Sequence, residues 1–64
     1  MNGQLMIQIE AGNAAASTTE DLARILRKTA ERIEQRGLGK LEDGGKVMDS
    51  NGNAVGRWTW TPDN

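Results

Sequence analysis

The sequence predicts an α+β domain in which one helix packs on one face of a three-stranded antiparallel or mixed sheet. Three segments carry this prediction, and in chain order they are an alternating apolar strand at 4–10, an amphipathic helix at 18–36 and a hairpin at 46–61. The expected order is therefore β-α-β-β. At 64 residues the chain has room for one domain, spanning 1–64.

The first strand is predicted from a period of two. Leu5, Ile7 and Ile9 alternate with polar residues, and only Met6 interrupts the polar face. We expect the Leu/Ile face to pack against the helix. The strand contains neither proline nor lysine, so its edge is poorly defended against pairing, and we predict that it pairs with a second copy to form a homodimer.

The helix has start and stop signals at both ends. A capping box can form in two ways, from Ser17 with Glu20 or from Thr18 with Asp21. Gly37 then offers a left-handed cap. An apolar stripe recurs between these ends at steps of three and four residues, and it consists of Leu22, Ala23, Ile25, Leu26, Thr29, Ala30 and Ile33.

The hairpin follows a glycine-rich segment at 37–45, where Leu41 is the residue expected to reach the core. Two turns fit. A two-residue type I′ turn at Asn51-Gly52 would put Val47 on the face of the tryptophans, whereas a type I turn from Asp49 to Gly52 with a bulge would put Met48 there.

Composition excludes several kinds of site. The chain has no cysteine and no histidine, so it lacks disulfides, thiolate metal sites and the usual general base. We predict no enzyme activity, no cofactor and no metal. The run from Asp49 to Asn53 resembles the front of a calcium loop, but Trp58 stands where such a loop needs a bidentate acid, so turn chemistry is the favoured interpretation.

Charge and hydropathy indicate where in the cell the protein is located and which partners are unfavourable. The net charge of −1 argues against the broad positive field typical of nucleic-acid or membrane binding. The first ten residues do not have the pattern of a signal peptide, and no stretch has the length of a transmembrane span. We therefore expect a cytoplasmic protein that does not bind membranes.

Two groups of side chains are candidates for partner contact. A basic side of the helix carries Arg24, Arg27, Lys28 and Arg32, with Glu20, Glu31 and Glu34 at spacings that can pair. Such a face is either merely solvated or grips phosphates or an acidic protein surface. The two tryptophans either fill the core or contribute to an interface. The predicted partner-binding set is Arg24, Arg27, Lys28, Arg32, Arg57, Trp58 and Trp60.

Three segments carry a resemblance to a known class of proteins. Residues 21–27 read DLARILR, residues 30–34 read AERIE and residues 49–58 read DSNGNAVGRW. With the hydrophobic first strand, they resemble small accessory proteins of bacteriophages and prophages, which combine an ARILR..A.RIE helix with a D.NGN.VG.W hairpin. The resemblance covers most of the chain. It implies binding to host proteins and, for some such proteins, inhibition of bacterial immunity such as CRISPR-Cas complexes.

These observations favour a non-enzymatic phage protein that binds a host protein or ribonucleoprotein and inhibits a defence complex. One alternative is a small nucleic-acid-binding regulatory module that uses the basic helix side. Another is a structural component of phage assembly. The acidic residues elsewhere in the chain give the surface both signs of charge, which suits protein recognition better than nucleic-acid recognition.

Overall fold

One helix and three strands make up the fold. The structure is a computed structural model, and it describes residues 1–63. In chain order the elements are β1 (Gly3–Ile9), α1 (Thr19–Arg36), β2 (Asp43–Met48) and β3 (Ala54–Pro62). The α+β class and the β-α-β-β order predicted from sequence are confirmed.

The sheet has the strand order β1-β3-β2, and both pairings are antiparallel. The last strand therefore lies in the middle, with the first strand on one side and the second on the other. Because β1 and β2 are each antiparallel to β3, they run parallel to one another, with β3 between them. Both outer strands keep a free edge.

The helix begins with the second of the two predicted capping boxes. The Thr18 hydroxyl accepts a hydrogen bond from the Asp21 amide at 3.0 Å, and the Asp21 carboxylate accepts one from the Thr18 amide at 3.3 Å. At the other end, Gly37 has the expected positive φ of 74°, but its ψ of 101° lies outside the left-handed helical region. No helix in the described part of the chain is long and apolar enough to cross a membrane.

The core lies between α1 and the β2–β3 hairpin. Both tryptophans are buried, Trp58 at 3% and Trp60 at 5% exposure, so the core interpretation of these rings is confirmed. Its remaining members are Ala16, Ile25, Val47 and Val55, with Ile9, Ile33 and Leu38 packed against them. Leu26, although part of the predicted stripe, is exposed.

The expectation that the helix covers the first strand is wrong. Leu5 and Ile7 do lie on the same face as the tryptophans, because Leu5 pairs with Trp60 and Ile7 with Trp58. The helix, however, packs over β2, so Leu5 stays 43% exposed and Ile7 37% exposed. Only Ile9, at the end of the strand, packs against the core.

The second strand begins three residues earlier than predicted, at Asp43. Its two glycines are not flexible linkers here. The Trp58 indole occupies the place of a side chain at Gly45, where an added Cβ would lie 2.7 Å from the ring nitrogen. The predicted role of Leu41 is wrong, since it is 82% exposed. The loop is held instead by the Trp60 ring nitrogen, which donates to the Gly39 carbonyl oxygen at 2.9 Å.

The hairpin turn combines parts of the two predicted alternatives. The Gly52 amide donates to the Asp49 carbonyl oxygen, and among the described residues only glycines have positive φ, so a type I′ turn is excluded at Asn51. The pairing shifts by one residue beside Met48, as expected for a bulge. That shift leaves Val47, rather than Met48, on the tryptophan face.

Candidate functional site: a basic groove between helix and sheet edge

Four cationic side chains form a ridge along one side of α1. They are Arg24, Lys28, Arg32 and Arg36, and all four are exposed. Residues four apart on a helix lie one above the other, so the ridge runs the length of the helix. It faces β2, because Arg24 and Lys28 line a hollow with Met48 and Ser50, while Arg32 and Arg36 line a wider one with Lys46 and Trp58.

Met48 lines both hollows, and we call the two together the basic groove, defined by Arg24, Lys28, Arg32, Arg36, Lys46, Met48 and Trp58. Its floor is apolar. Met48 is half-buried, the buried Trp58 ring lies below it, and Gly45 leaves the floor without a side chain of its own. Cations on the rim and an apolar floor together suit a ligand that carries both carboxylates and apolar groups.

Two of the five cations are already paired within the chain. Arg36 donates to the Asp43 carboxylate at 2.8 Å, and Arg24 lies 3.5 Å from the Asp21 carboxylate. The hydrogen bond from Arg36 holds the pKa of Asp43 below its usual value. Lys28, Arg32 and Lys46 make no ion pair within residues 1–63. These three are therefore the cations that are available to a ligand.

The capping carboxylate beside this groove is ionised at neutral pH. Hydrogen bonds from the Ser17 amide, the Thr18 side chain and the Thr18 amide hold the pKa of Asp21 below its usual value, and the charge of Arg24 adds to the effect. Asp21 thus neutralises Arg24 and also caps the helix. With Arg36 paired to Asp43 at the other end, the cations without an ion pair in the described residues lie in the middle of the groove.

The glutamates predicted to pair with the basic side do not pair with it. Glu20, Glu31 and Glu34 make no ion pair in the described portion of the chain; the two pairs found are made by Asp21 and Asp43. At about 100° per residue, Glu31 and Glu34 share the outward side of the helix with Arg27, whereas Glu20, four residues before Arg24, lies at the start of the ridge. The basic groove is therefore less neutralised than the sequence indicated.

The structure brings four of the seven predicted site residues together. Arg24, Lys28 and Arg32 line the basic groove, and Trp58 forms part of its floor. The other three are dispersed. Arg27 points outward, Arg57 is exposed on the sheet face away from the tryptophans, and Trp60 is buried in the core. Direct contact between these residues and a partner stays a prediction.

Three groove residues were missed by the sequence reasoning: Arg36, Lys46 and Met48. Arg36 continues the four-residue spacing of the ridge, a signal that was visible in the sequence. Lys46 and Met48 carried no comparable signal, because their position beside the helix depends on where β2 begins and on the bulge.

The loop that resembles a calcium site is a hydrogen-bonded turn. One oxygen of the Asp49 carboxylate accepts hydrogen bonds from the Asn51 and Asn53 amides, each at 2.9 Å. The Asn53 amide is the main cause that holds the pKa of Asp49 below its usual value. These are the hydrogen bonds that turn chemistry predicts. The described residues include no group of three or more acidic side chains arranged to hold a metal ion.

Comparison with known proteins adds no functional assignment. No protein-family model, no curated protein and no solved structure matches this chain. The geometry of the basic groove and the resemblance to phage accessory proteins are the remaining indications of function, and the resemblance stays a prediction.

Proposed function

We propose that this chain is a non-enzymatic binding protein that acts in the bacterial cytoplasm by attaching its basic groove to an acidic surface of a host protein. In line with the phage-protein resemblance, the expected partner is a protein or ribonucleoprotein of a bacterial defence system such as a CRISPR-Cas complex. Binding would inhibit that complex by occlusion or misassembly. No chemical step is required of the small protein.

One observation supports this proposal most strongly: Lys28, Arg32 and Lys46, which have no ion pair among residues 1–63, lie above an apolar floor. Charged rims around apolar floors are common in protein interfaces, where the rim sets the orientation and the floor excludes water. In a chain with a net charge of −1, such a concentration of positive charge is local rather than general.

The same surface is less suited to a nucleic-acid backbone. A groove that tracks phosphates presents cations without interruption, whereas this one carries Asp21 and Asp43 in its walls. It also lacks an exposed aromatic ring for stacking, since both tryptophans within the described residues are buried. Nucleic-acid binding is consequently the alternative that the experiment must distinguish from binding to a host protein.

The test is capture of the tagged protein's partners from a bacterial lysate that expresses defence complexes, with nuclease present and at low and high salt. We expect a stoichiometric defence protein or ribonucleoprotein, identified by mass spectrometry, and inhibition of target cleavage by the purified complex. The double variant Lys28→Glu, Arg32→Glu should weaken this binding by about 100-fold or more, because each reversal replaces an attraction with a repulsion.

The matched control is the double variant Arg27→Glu, Lys40→Glu. It makes the same change in net charge at two exposed positions that do not line the basic groove, and we expect it to bind and inhibit like the wild type. Equal loss in both variants would reject the groove as the contact. Capture of nuclease-sensitive material alone would show that the protein binds nucleic acid. A wild type that neither captures nor inhibits any defence complex would refute the proposal.

A further inference from the structure

The first strand is exposed on both faces and along one edge. From Gly3 to Gln8 every residue of β1 is exposed, including the aliphatic Leu5 and Ile7. Within the described chain, its only extensive contact is the pairing with β3. An uncharged seven-residue strand with this exposure is a surface that natural proteins cover or pair.

The hydrogen-bonding groups on the free edge can be assigned. The Glu10 amide donates to the Val55 carbonyl oxygen, and the Asp63 amide donates to the Asn2 carbonyl oxygen. Even-numbered residues of this strand therefore direct their backbone groups toward β3. Because the direction alternates along an antiparallel strand, Gly3, Leu5, Ile7 and Ile9 direct their amides and carbonyls to the free edge.

The five central residues of the strand are symmetric in chemical type about Met6. Residues 4–8 read Gln-Leu-Met-Ile-Gln, with an aliphatic residue on each side of Met6 and a glutamine beyond each. In a two-fold antiparallel pair centred on Met6, residue 5 lies opposite residue 7 of the second copy, and residue 4 lies opposite residue 8. From residue 4 to residue 8 each side chain then meets one of its own kind, which suits a self-complementary interface, while Gly3 lies opposite Ile9.

We propose that two copies of the chain join through β1 in this Met6-centred antiparallel register, forming a continuous six-stranded sheet. The four edge-directed residues of each copy supply about eight main-chain hydrogen bonds, since each hydrogen-bonded pair exchanges two. Leu5 packs beside Ile7 of the second copy on the helix side. The two Met6 side chains meet on the opposite face.

Self-pairing of this edge is favoured over pairing with the other edge of the sheet. The β2 edge carries Asp43 and Lys46, and the side chains of Arg32 and Arg36 lie beside it in the basic groove. Charges on an edge strand oppose strand addition. Pairing β1 with β2 of another copy would also leave free edges and grow into a filament, whereas the two-fold pair leaves only the defended edges exposed.

This inference goes beyond the proposed function, because β1 and the basic groove lie at opposite edges of the sheet. A variant that separates the copies therefore leaves the groove residues of each chain in place. Failure of host binding and failure of self-pairing can be observed independently.

Disulfide trapping tests the register directly. The chain has no cysteine, so a single Met6→Cys substitution gives one thiol per copy. In the proposed register the two sulfurs belong to a pair that is not hydrogen-bonded, with a Cα separation of about 4.5 Å, within the range that a disulfide spans. We expect a crosslinked dimer to form rapidly under mild oxidation.

Gln8→Cys is the matched control, since it lies on the same strand and the same face. In the proposed register residue 8 lies opposite residue 4 of the second copy, so the two cysteines are about 14 Å apart along the strand. They cannot form a disulfide within the proposed pair. Faster crosslinking of Gln8→Cys than of Met6→Cys would overturn the register. Equally slow crosslinking of both would overturn the pairing.

Sedimentation equilibrium tests the association without any crosslink. Between about 1 μM and about 1 mM, the wild type should shift from the 7.0 kDa of one chain to twice that mass. Ile7→Lys, which puts a charge into the interface, should stay monomeric with an unchanged far-UV circular dichroism spectrum. Leu41→Lys makes the same kind of change at an exposed loop residue and should dimerise. A monomeric wild type over this range would refute the proposal.

Discussion

Glycine residues make room for the tryptophan rings in this sheet. At Gly3 an added Cβ would meet the far edge of the Trp60 indole, and at Gly45 it would meet the Trp58 ring nitrogen. Each ring thus covers the backbone of a neighbouring strand. The small core is filled by two large side chains lying over positions that have none, which is why it needs few other apolar residues.

Gly56 should be the glycine least tolerant of substitution in the sheet. A Cβ there would overlap the Gln8 carbonyl oxygen of the adjacent strand. We expect Gly56→Ala to lower the free energy of unfolding by about 2 kcal/mol or more, because backbone on both strands must move. Gly39→Ala, where no atom lies within 4 Å, should change it by less than about 0.5 kcal/mol. Urea titration of both variants gives the comparison, and equal losses would contradict it.

The Asp49 carboxylate should make stability depend on acid pH. Its pKa is lowered in the folded state from the usual 3.8, chiefly by the Asn53 amide. Its contribution is therefore present above about pH 4 and is lost as the pH falls through the lower folded value. We expect Asp49→Asn to be less stable than wild type at pH 7 and to lose less stability on acidification.

Asp63→Asn serves as the control for this acid dependence, since the Asp63 carboxylate makes no side-chain hydrogen bond in the described region. Denaturation of the three proteins at a series of pH values would show the difference. If the free energy of unfolding of Asp49→Asn falls with acid pH as steeply as that of the wild type, the acid sensitivity belongs to Asp21 and Asp43, whose pKa values are also lowered.

Residue chemistry visible in the sequence was a good guide to local structure. The hydroxyl and acid three residues apart limited the cap to two candidates, and the Asp-Ser-Asn-Gly run limited the turn to two types, because both depend on short-range hydrogen bonds. The exposure of the Leu41 side chain could not be predicted from such local signals. Whether a loop leucine reaches the core depends on neighbours distant in sequence, here the Trp60 bond to Gly39.

At the scale of the elements, the helix is the best determined by sequence and the first strand is the least. The helix has a cap, an apolar stripe and a terminal glycine, all local signals. The period of two in β1 correctly gave the face shared by Leu5 and Ile7. It could not show that the helix lies over β2, because that depends on strand order and on the volume of the tryptophans.

The helix cap offers a test that separates the two boxes predicted from sequence. Thr18→Ala removes the hydroxyl that accepts the Asp21 amide hydrogen bond, and we expect a loss of about 1 kcal/mol in the free energy of unfolding. Ser17→Ala should lower the free energy of unfolding by only about 0.3 kcal/mol, because the Ser17 side chain makes no hydrogen bond in the described chain. The reverse order of the two losses, measured by thermal unfolding, would assign the cap to Ser17.

At the scale of the whole molecule, the two proposed surfaces occupy opposite edges of one sheet. A two-fold pair through β1 would carry a basic groove at each far end, so a partner with two acidic surfaces could be held at both. Two linked sites bind such a partner more tightly than one, provided that their spacing matches. The sequence analysis named three of the four ridge cations but not the groove, which exists only where the helix meets the β2 edge.

Self-pairing should make thermal stability depend on concentration. Because the pair forms only between folded chains, mass action raises the unfolding midpoint as protein is added. For a chain of this size we expect a rise of roughly 5 °C for each tenfold increase in concentration above the dissociation constant. Scanning calorimetry at several concentrations measures this. The midpoint of Ile7→Lys should stay constant, and a constant midpoint in the wild type would argue against the pair.

The central position of β3 affects how the chain can fold as it is synthesised. Neither β1 nor β2 has a sheet neighbour until the residues from Ala54 to Pro62 have been made, since each pairs only with that strand. The helix can form early and the pairing of β2 with β3 is local, but the addition of β1 must wait for β3 and joins residues 47 to 59 positions apart. During translation the uncharged β1 therefore waits without a partner, the period in which a nascent chain is most open to chaperones and to aggregation.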